Sequence, residues 1–460
     1  MNGMRDILFL PIFFLCLPVC FFNPYFGVLM WTVVSFLNPQ KFMWGMAHHT
    51  PVAEFVAIPT VAGALFFWRG WRHLFTRDFG MVALLWLWFT FTTLNNTHQP
   101  EFMDFAPSTW FRWTFVSKVI LMALLTAGMV NNWSRFRWLL LAISGSLGFL
   151  VLKAVPFMIL NGGADKLYGP EGSMLADNND LGLALNMTLP LFFFLAQTET
   201  SSRLRKFMGF MFVATIPAVL FTYSRGALVG MSAVVILMVL RLRQRVVLIP
   251  VIALAVCFAM FFTPEKWQHR MDFTREGAVM DASAMERLSA WKYSLKLALD
   301  HPLTGGGFEA FTPALYARYE PEVHEAYGPH SIYFGVMAEH GFPGLALYLC
   351  LIFSCFMSLQ RAKRYGRLWG DERTILYSLM LQFSLLAFMI TGAFLGRAYF
   401  DYFFTIVACT IILTRICKQE TYDRVLNEST DEEAAASEVE PAHAGEDIVR
   451  PRRRRIPVAG

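Results

Sequence analysis

Apolar stretches recur along this chain, at residues 6–37, 52–68, 79–95, 113–130, 137–160, 180–196, 207–222, 226–240, 246–263, 331–359, 375–393 and 402–416. Most approach the ~20 apolar residues that an α-helix needs to cross a bilayer. Barrel-type alternation is absent, which leaves the helical bundle as the spanning architecture. The first run exceeds one straight span and is interrupted by Asn23-Pro24, so it forms one kinked span or two short ones. It lacks a small-residue cleavage site and reads as a membrane segment rather than a removed signal peptide. The pattern predicts an all-α integral membrane protein with about twelve transmembrane helices.

One long polar interruption, 264–330, separates a bundle at 1–263 from further spans at 331–417. Inside it, Ser283-Ala-Met-Glu286 has the form of a capping box and predicts a helix start. Leu288, Trp291, Leu295 and Ala298 follow at steps of three and four, an apolar stripe expected to lie on the membrane surface with Trp291 at headgroup level. The loop is therefore expected to hold amphipathic helices and to act as a lid. Residues 418–460, with DEEAAASEVE and the Arg452–Arg455 run, predict a disordered tail.

With 56% hydrophobic and 16% charged residues, the chain is too apolar for an ordinary soluble protein. The net charge of +5 then reflects cytoplasmic loops rather than nucleic-acid binding. Every second loop is basic: Arg69, Arg72 and Arg77; Arg135 and Arg137; Arg203, Arg205 and Lys206; Arg241, Arg243 and Arg245; and the run Arg361 to Arg373. The intervening short loops carry one basic residue each, Lys41, Arg112, Lys166, Arg225 and Arg397. This alternation assigns residues 161–180, Arg225 and the whole 264–330 loop to one outer face, and the tail to the inside. The seven cysteines show neither metal-ligand spacing nor a disulfide framework.

Candidate chemistry gathers on that outer face. Arg225 is the sole basic residue of a tight turn, where orientation rules require none; a span-end charge also snorkels without any function. Arg287 falls off the apolar stripe in the first turn of its helix, where free N–H groups and a guanidinium together receive an anion. The alternative is an arginine on a solvated face. His330 begins the run after the long loop, and a histidine titrates near neutrality and accepts a hydroxyl proton, although lone histidines are more often structural. Asn178 and Asn179, within Asp177-Asn-Asn-Asp180, exceed what capping a span requires and are candidates to hold a polar headgroup. Glu339 and His340 lie more than two helical turns beyond His330, so they are expected to orient or cap rather than form a dyad with it. Gly305-Gly306-Gly307 permits phosphate binding or a flexible connection. No metal site is suggested, and no cofactor.

Ser224-Arg225-Gly226, the Arg287…Trp291 segment followed by HPLTGGGF, and His330-Ser331 leading to EHGFPG resemble the O-antigen ligases and polymerases of lipid-linked glycans. NPQKFMWG, ADNNDLGLALNMTLPL, PHSIYF…EHGF and GAFLGRAYFD are similar to the O-glycosylation ligases associated with exosortase systems. The broader family has Asn after the histidine; Ser331 departs from that. The resemblance implies transfer of a glycan from undecaprenyl pyrophosphate to a lipid A core, glycan or protein acceptor, at the periplasmic face of a bacterial inner membrane. It implies His330 as general base, with Arg225 and Arg287 holding the pyrophosphate; Asn178, Asn179 and Glu339 are further substrate-binding candidates. A polymerase using the same donor is the nearest alternative. A transporter or flippase of lipid-linked sugars is another; most polar character clusters at one face, which speaks against it, and Lys118 and Lys153, near or inside apolar runs, soften that argument.

Overall fold

The structure, a computed structural model, describes residues 4–67, 70, 75–161, 165–241, 249–250, 252–253, 256–257, 282–323 and 325–439. Arg69, Arg72, Arg243, Arg245, most of the 246–263 run, the 264–281 part of the long loop and residues 440–460 lie outside them. All regular structure in the described residues is helical: α1 (Met4–Phe22), α2 (Pro24–Leu37), α3 (Val52–Phe67), α4 (Arg77–Asn96), α5 (Ala106–Met129), α6 (Trp133–Leu160), α7 (Asn178–Thr198), α8 (Ser202–Leu220), α9 (Arg225–Arg241), α10 (Ala282–Asp300), α11 (Pro313–Tyr319), α12 (Ile332–Leu368), α13 (Glu372–Gly392) and α14 (Asp401–Val439). Short 3-10 turns lie between α2 and α3 and before α5. Among the described residues, six helices, α1, α5, α6, α7, α12 and α13, are long and apolar enough to span a bilayer. The chain is a multi-pass helical membrane protein.

The break at Asn23-Pro24 makes two helices. Asn23 caps α2 by accepting from the Phe26 amide at 3.3 Å, and Pro24 opens the helix where its missing N–H costs nothing. The two helices run antiparallel. Arg5 at the start of α1 donates to the Phe42 carbonyl just beyond α2, and Phe21 packs on Phe66 and Phe67 at the end of α3.

α7 is buried on nearly every side and runs through the centre of the bundle, as a predominantly apolar helix does. Small residues let α9 come close to α7 and α13: a Cβ on Gly182 would stand 2.6 Å from Ala227 Cβ, and one on Gly230 would collide with Thr391. Asn186 on α7 donates to the Ala227 carbonyl at 2.8 Å and to Thr391 Oγ1 at 3.1 Å, tying the three helices together. The two lysines inside apolar runs have local partners. Lys118 pairs with Glu54 at 2.6 Å, and Lys153 lies 4.6 Å over the Phe42 ring.

The described part of the long loop, called the lid below, is packed around a small core of its own. Tyr293 and Leu297 of α10, Ala310, Leu315 and Tyr316 around α11, and Phe102 from the segment before α5 form a separate small core. Tyr293 stacks on Tyr316 with ring centroids 4.1 Å apart, and its hydroxyl donates to the Ala310 carbonyl. The buried stripe of α10 is therefore Ala290, Tyr293, Ser294, Leu297 and Ala298, whereas Leu288 and Leu295 of the expected stripe are exposed. Burial of a large ring whose hydroxyl finds a partner outweighs the leucines. Trp291 stacks on Phe334 of α12 at 5.2 Å. The helix is already formed at Ala282, so Ser283 lies inside it.

The glycine triplet mends a broken helix. α12 kinks at Gly341, whose φ is 69°. Pro343 has no N–H for the Glu339 carbonyl, and the Phe342 amide turns instead to the Pro302 carbonyl at 2.9 Å. The carbonyls thus released are taken by the lid: Gly306 N donates to Ala338 O at 2.8 Å and Gly307 N to Glu339 O at 2.9 Å. The triplet's backbone is committed to this seam, so of the two readings it is neither a free phosphate cradle nor a loose connector.

Basic loops meet at the opposite end of the bundle. Arg137 grips Glu199 with N–O distances of 2.6 and 3.0 Å, and Arg373 stacks 3.9 Å over Trp133. α14 continues to Val439, so the first part of the expected disordered tail is helical.

Candidate active site

Asp177 caps α7, accepting from the Asn179 amide and side chain at 2.8 Å. Asn178 is buried and donates to the Thr222 carbonyl at 2.7 Å. That bond reaches the turn before α9, where Tyr223 takes a φ of 57°, uncommon outside glycine. Ser224 Oγ then accepts from the Ala227 amide at 3.1 Å and starts α9 with Arg225 as its first residue. Asn178 thus shapes the Arg225 turn; Asn179 stays half-buried beside Asp177. Gly226 admits Phe394, whose Cβ would lie 3.1 Å from a Cβ at that position.

His330 is half-buried and holds a φ of 46°. Backbone of this kind persists where surrounding packing imposes it, and it clusters at functional sites. Ser331 caps α12 by accepting from the Tyr333 amide at 3.3 Å. Serine and asparagine both fill such a cap, which accounts physically for the departure at this position. Burial lowers the His330 pKa below its ordinary 6.5, and Arg287 lowers it further; Glu286 and Asp177 act in the opposite sense. His330, Arg287, Glu286 and Asp177 therefore share one electrostatic environment drawn from three elements.

Glu339 stands apart from this group. One carboxylate oxygen accepts from Tyr399 OH at 2.5 Å and the other from the Glu309 amide at 3.0 Å. Glu309 has a φ of 60° and faces Arg112 at 3.5 Å. His340 is buried against α4, with Nδ1 2.7 Å from Thr92 Oγ1 and its ring stacked 4.2 Å from Phe89. Both residues are turned into the seam that joins the lid to the bundle.

Two contacts had no counterpart in the sequence reading: the ion pair of Arg397 with Asp180, and the Tyr399–Glu339 hydrogen bond. The available signal was that Arg397, like Arg225, is the sole basic residue of a short loop. Among the described residues one trio, Glu101, Asp300 and His301, brings possible metal ligands together. It lies where the lid meets the segment before α5, and Arg318 already pairs with both carboxylates.

The fold defines a multi-pass helical membrane protein, with His330, Arg287 and Arg225 as candidate site residues. Residues 210–349, which include Arg225, Arg287 and His330, match the family described as O-antigen ligase. Residues 4–200 match a family of unknown function. The first match supports the O-antigen ligase superfamily and a glycosyltransferase of ligase or polymerase type. No curated protein matches the chain.

Proposed function

We propose that this protein is a glycan ligase that uses an undecaprenyl-pyrophosphate-linked donor at the periplasmic face of the bacterial inner membrane. The observation that carries the reading is His330, held half-buried at a φ of 46° with its pKa lowered by burial and Arg287, inside the segment similar to O-antigen ligases. A neutral imidazole accepts the acceptor's hydroxyl proton as that oxygen attacks the anomeric carbon. The bond from the anomeric carbon to the pyrophosphate oxygen breaks with inversion, and undecaprenyl pyrophosphate leaves. Arg225 and Arg287 take up the charge that develops on it, since guanidinium groups pair with phosphate in a fixed fork geometry. Asn178 supports this indirectly by shaping the Arg225 turn, Asn179 faces the same end, and Glu339 fastens the lid. The motifs NPQKFMWG and GAFLGRAYFD support the exosortase-associated group within the superfamily.

The test is reconstitution of the full chain with one lipid-linked donor and several acceptors, with product mass as readout. His330→Ala and Arg287→Ala are expected to fold and to lose transfer by more than about 100-fold. Full activity in folded His330→Ala overturns the mechanism. Extension of a second lipid-linked glycan, with no transfer to lipid A core or protein, makes it a polymerase. Activity is expected to persist in chelator; loss with recovery on adding Mg²⁺ refutes metal independence.

A further inference from the structure

The segment 393–400 borders the His330 turn, the Arg225 turn and Glu339. A Cβ on Gly396 would stand 2.7 Å from Pro329 Cγ and 3.3 Å from the His330 amide nitrogen, so the segment backs directly onto the histidine turn. Phe394 presses on Gly226 beside Arg225. Tyr348 OH donates to the Ala398 carbonyl at 2.9 Å, and Tyr399 OH reaches Glu339 in the lid seam. In the middle of these contacts Arg397 pairs with Asp180 in the first turn of α7; the two side chains are 29% and 6% exposed, so this is no solvated surface pair. Burial works against the charge on Arg397, and Asp180, with Asp177 and Asp401 behind it, outweighs that. The partner helix end is the one whose Asn178 holds the Arg225 turn. One ion pair therefore joins the support of His330 to the support of Arg225.

We propose that Arg397, clamped by Asp180, is a positioning residue that sets the separation of the His330 and Arg225 turns without contacting substrate. The proposal rests on the roles given to His330 and Arg225 above. A guanidinium–carboxylate pair suits this task because its attraction is directional, whereas apolar contacts tolerate sliding. Asp180 lies in the segment similar to the family of unknown function and Arg397 in neither matched segment. The O-antigen-ligase-like part would thus be completed by chain on both sides of it.

Asp180→Asn, Arg397→Gln and the double variant test the idea in proteoliposomes carrying the full chain. Each single change is expected to lower kcat by about 10–100-fold, the cost of misplacing reacting groups by about 1 Å. KM for the donor is expected to stay within about threefold, because binding groups are untouched. The double variant is expected to be no worse than either single, since all three remove one device. Arg397→Lys is expected to recover part of the loss. Losses that multiply in the double variant, a loss carried wholly by KM, or unchanged kcat in folded protein overturn the proposal. A second measurement needs no transfer activity: site-resolved modification of His330 by diethyl pyrocarbonate, expected to quicken at least about threefold in Asp180→Asn and Arg397→Gln as the turn loosens. An unchanged rate counts against positioning. If the unmodified chain transfers no glycan, the transfer reading fails, and the labelling rates alone decide the positioning claim.

Discussion

At the scale of the residue, His330 is suited to act as a base through its surroundings rather than its identity. Burial and Arg287 press its pKa below 6.5, and Glu286 and Asp177 pull it back. The sign of each neighbour can be read in the pH dependence of transfer, whose acid limb follows protonation of the base. Glu286→Gln removes a carboxylate that favours the imidazolium, so the limb is expected to move to lower pH. Arg287→Gln removes a cation that opposes it, so the limb of the residual activity moves to higher pH. Normalised pH–rate profiles check both, and shifts of the same sign for the two variants contradict this account. Arg225, Arg287 and His330 stand out as candidates in the sequence because a charge or an imidazole in an apolar chain is conspicuous. The internal commitments of Asn178 and Glu339 were not, because hydrogen-bond partners 44 and 60 residues away leave no local trace.

At the scale of the element, α12 and the lid form one device. The kink at Gly341 frees two carbonyls, and the amides of Gly306 and Gly307 take them. Gly305 has a φ of 60°, and a Cβ there would collide with the Ala338 carbonyl. Gly341 likewise has a φ of 69° with the Leu303 carbonyl 2.5 Å from a built Cβ. Gly305→Ala and Gly341→Ala are expected to weaken lid docking by about 2 kcal/mol each. Hydrogen exchange of residues 302–310 is the measure, with protection expected to fall while the rest of the bundle keeps its own. The apolar stripe of α10 shows the limit of periodicity. Two overlapping stripes satisfy steps of three and four, and only the position of Tyr316 and Ala310 selects the one built on Tyr293.

At the scale of the whole molecule, charge is sorted by end. Arg135, Arg137 and Arg373 gather opposite the end that carries Arg225, His330 and Arg397. With the positive-inside rule, this predicts that the histidine end faces the periplasm. In a background lacking the seven native cysteines, a cysteine at Glu322 is expected to react with an impermeant maleimide from outside, and one at Tyr365 is not. Reaction at position 365 alone inverts the orientation.

Sequence by itself determined the helical membrane class, because bilayer thickness and backbone hydrogen bonding leave few alternatives to runs of this length. It also marked the histidine and two arginines. Tertiary structure alone decided that residues 6–37 make two helices, which face of the lid helix is buried, what the glycines do, and that Arg397 meets Asp180. Those outcomes depend on contacts between residues distant in the chain, where several local patterns are equally good and packing chooses among them.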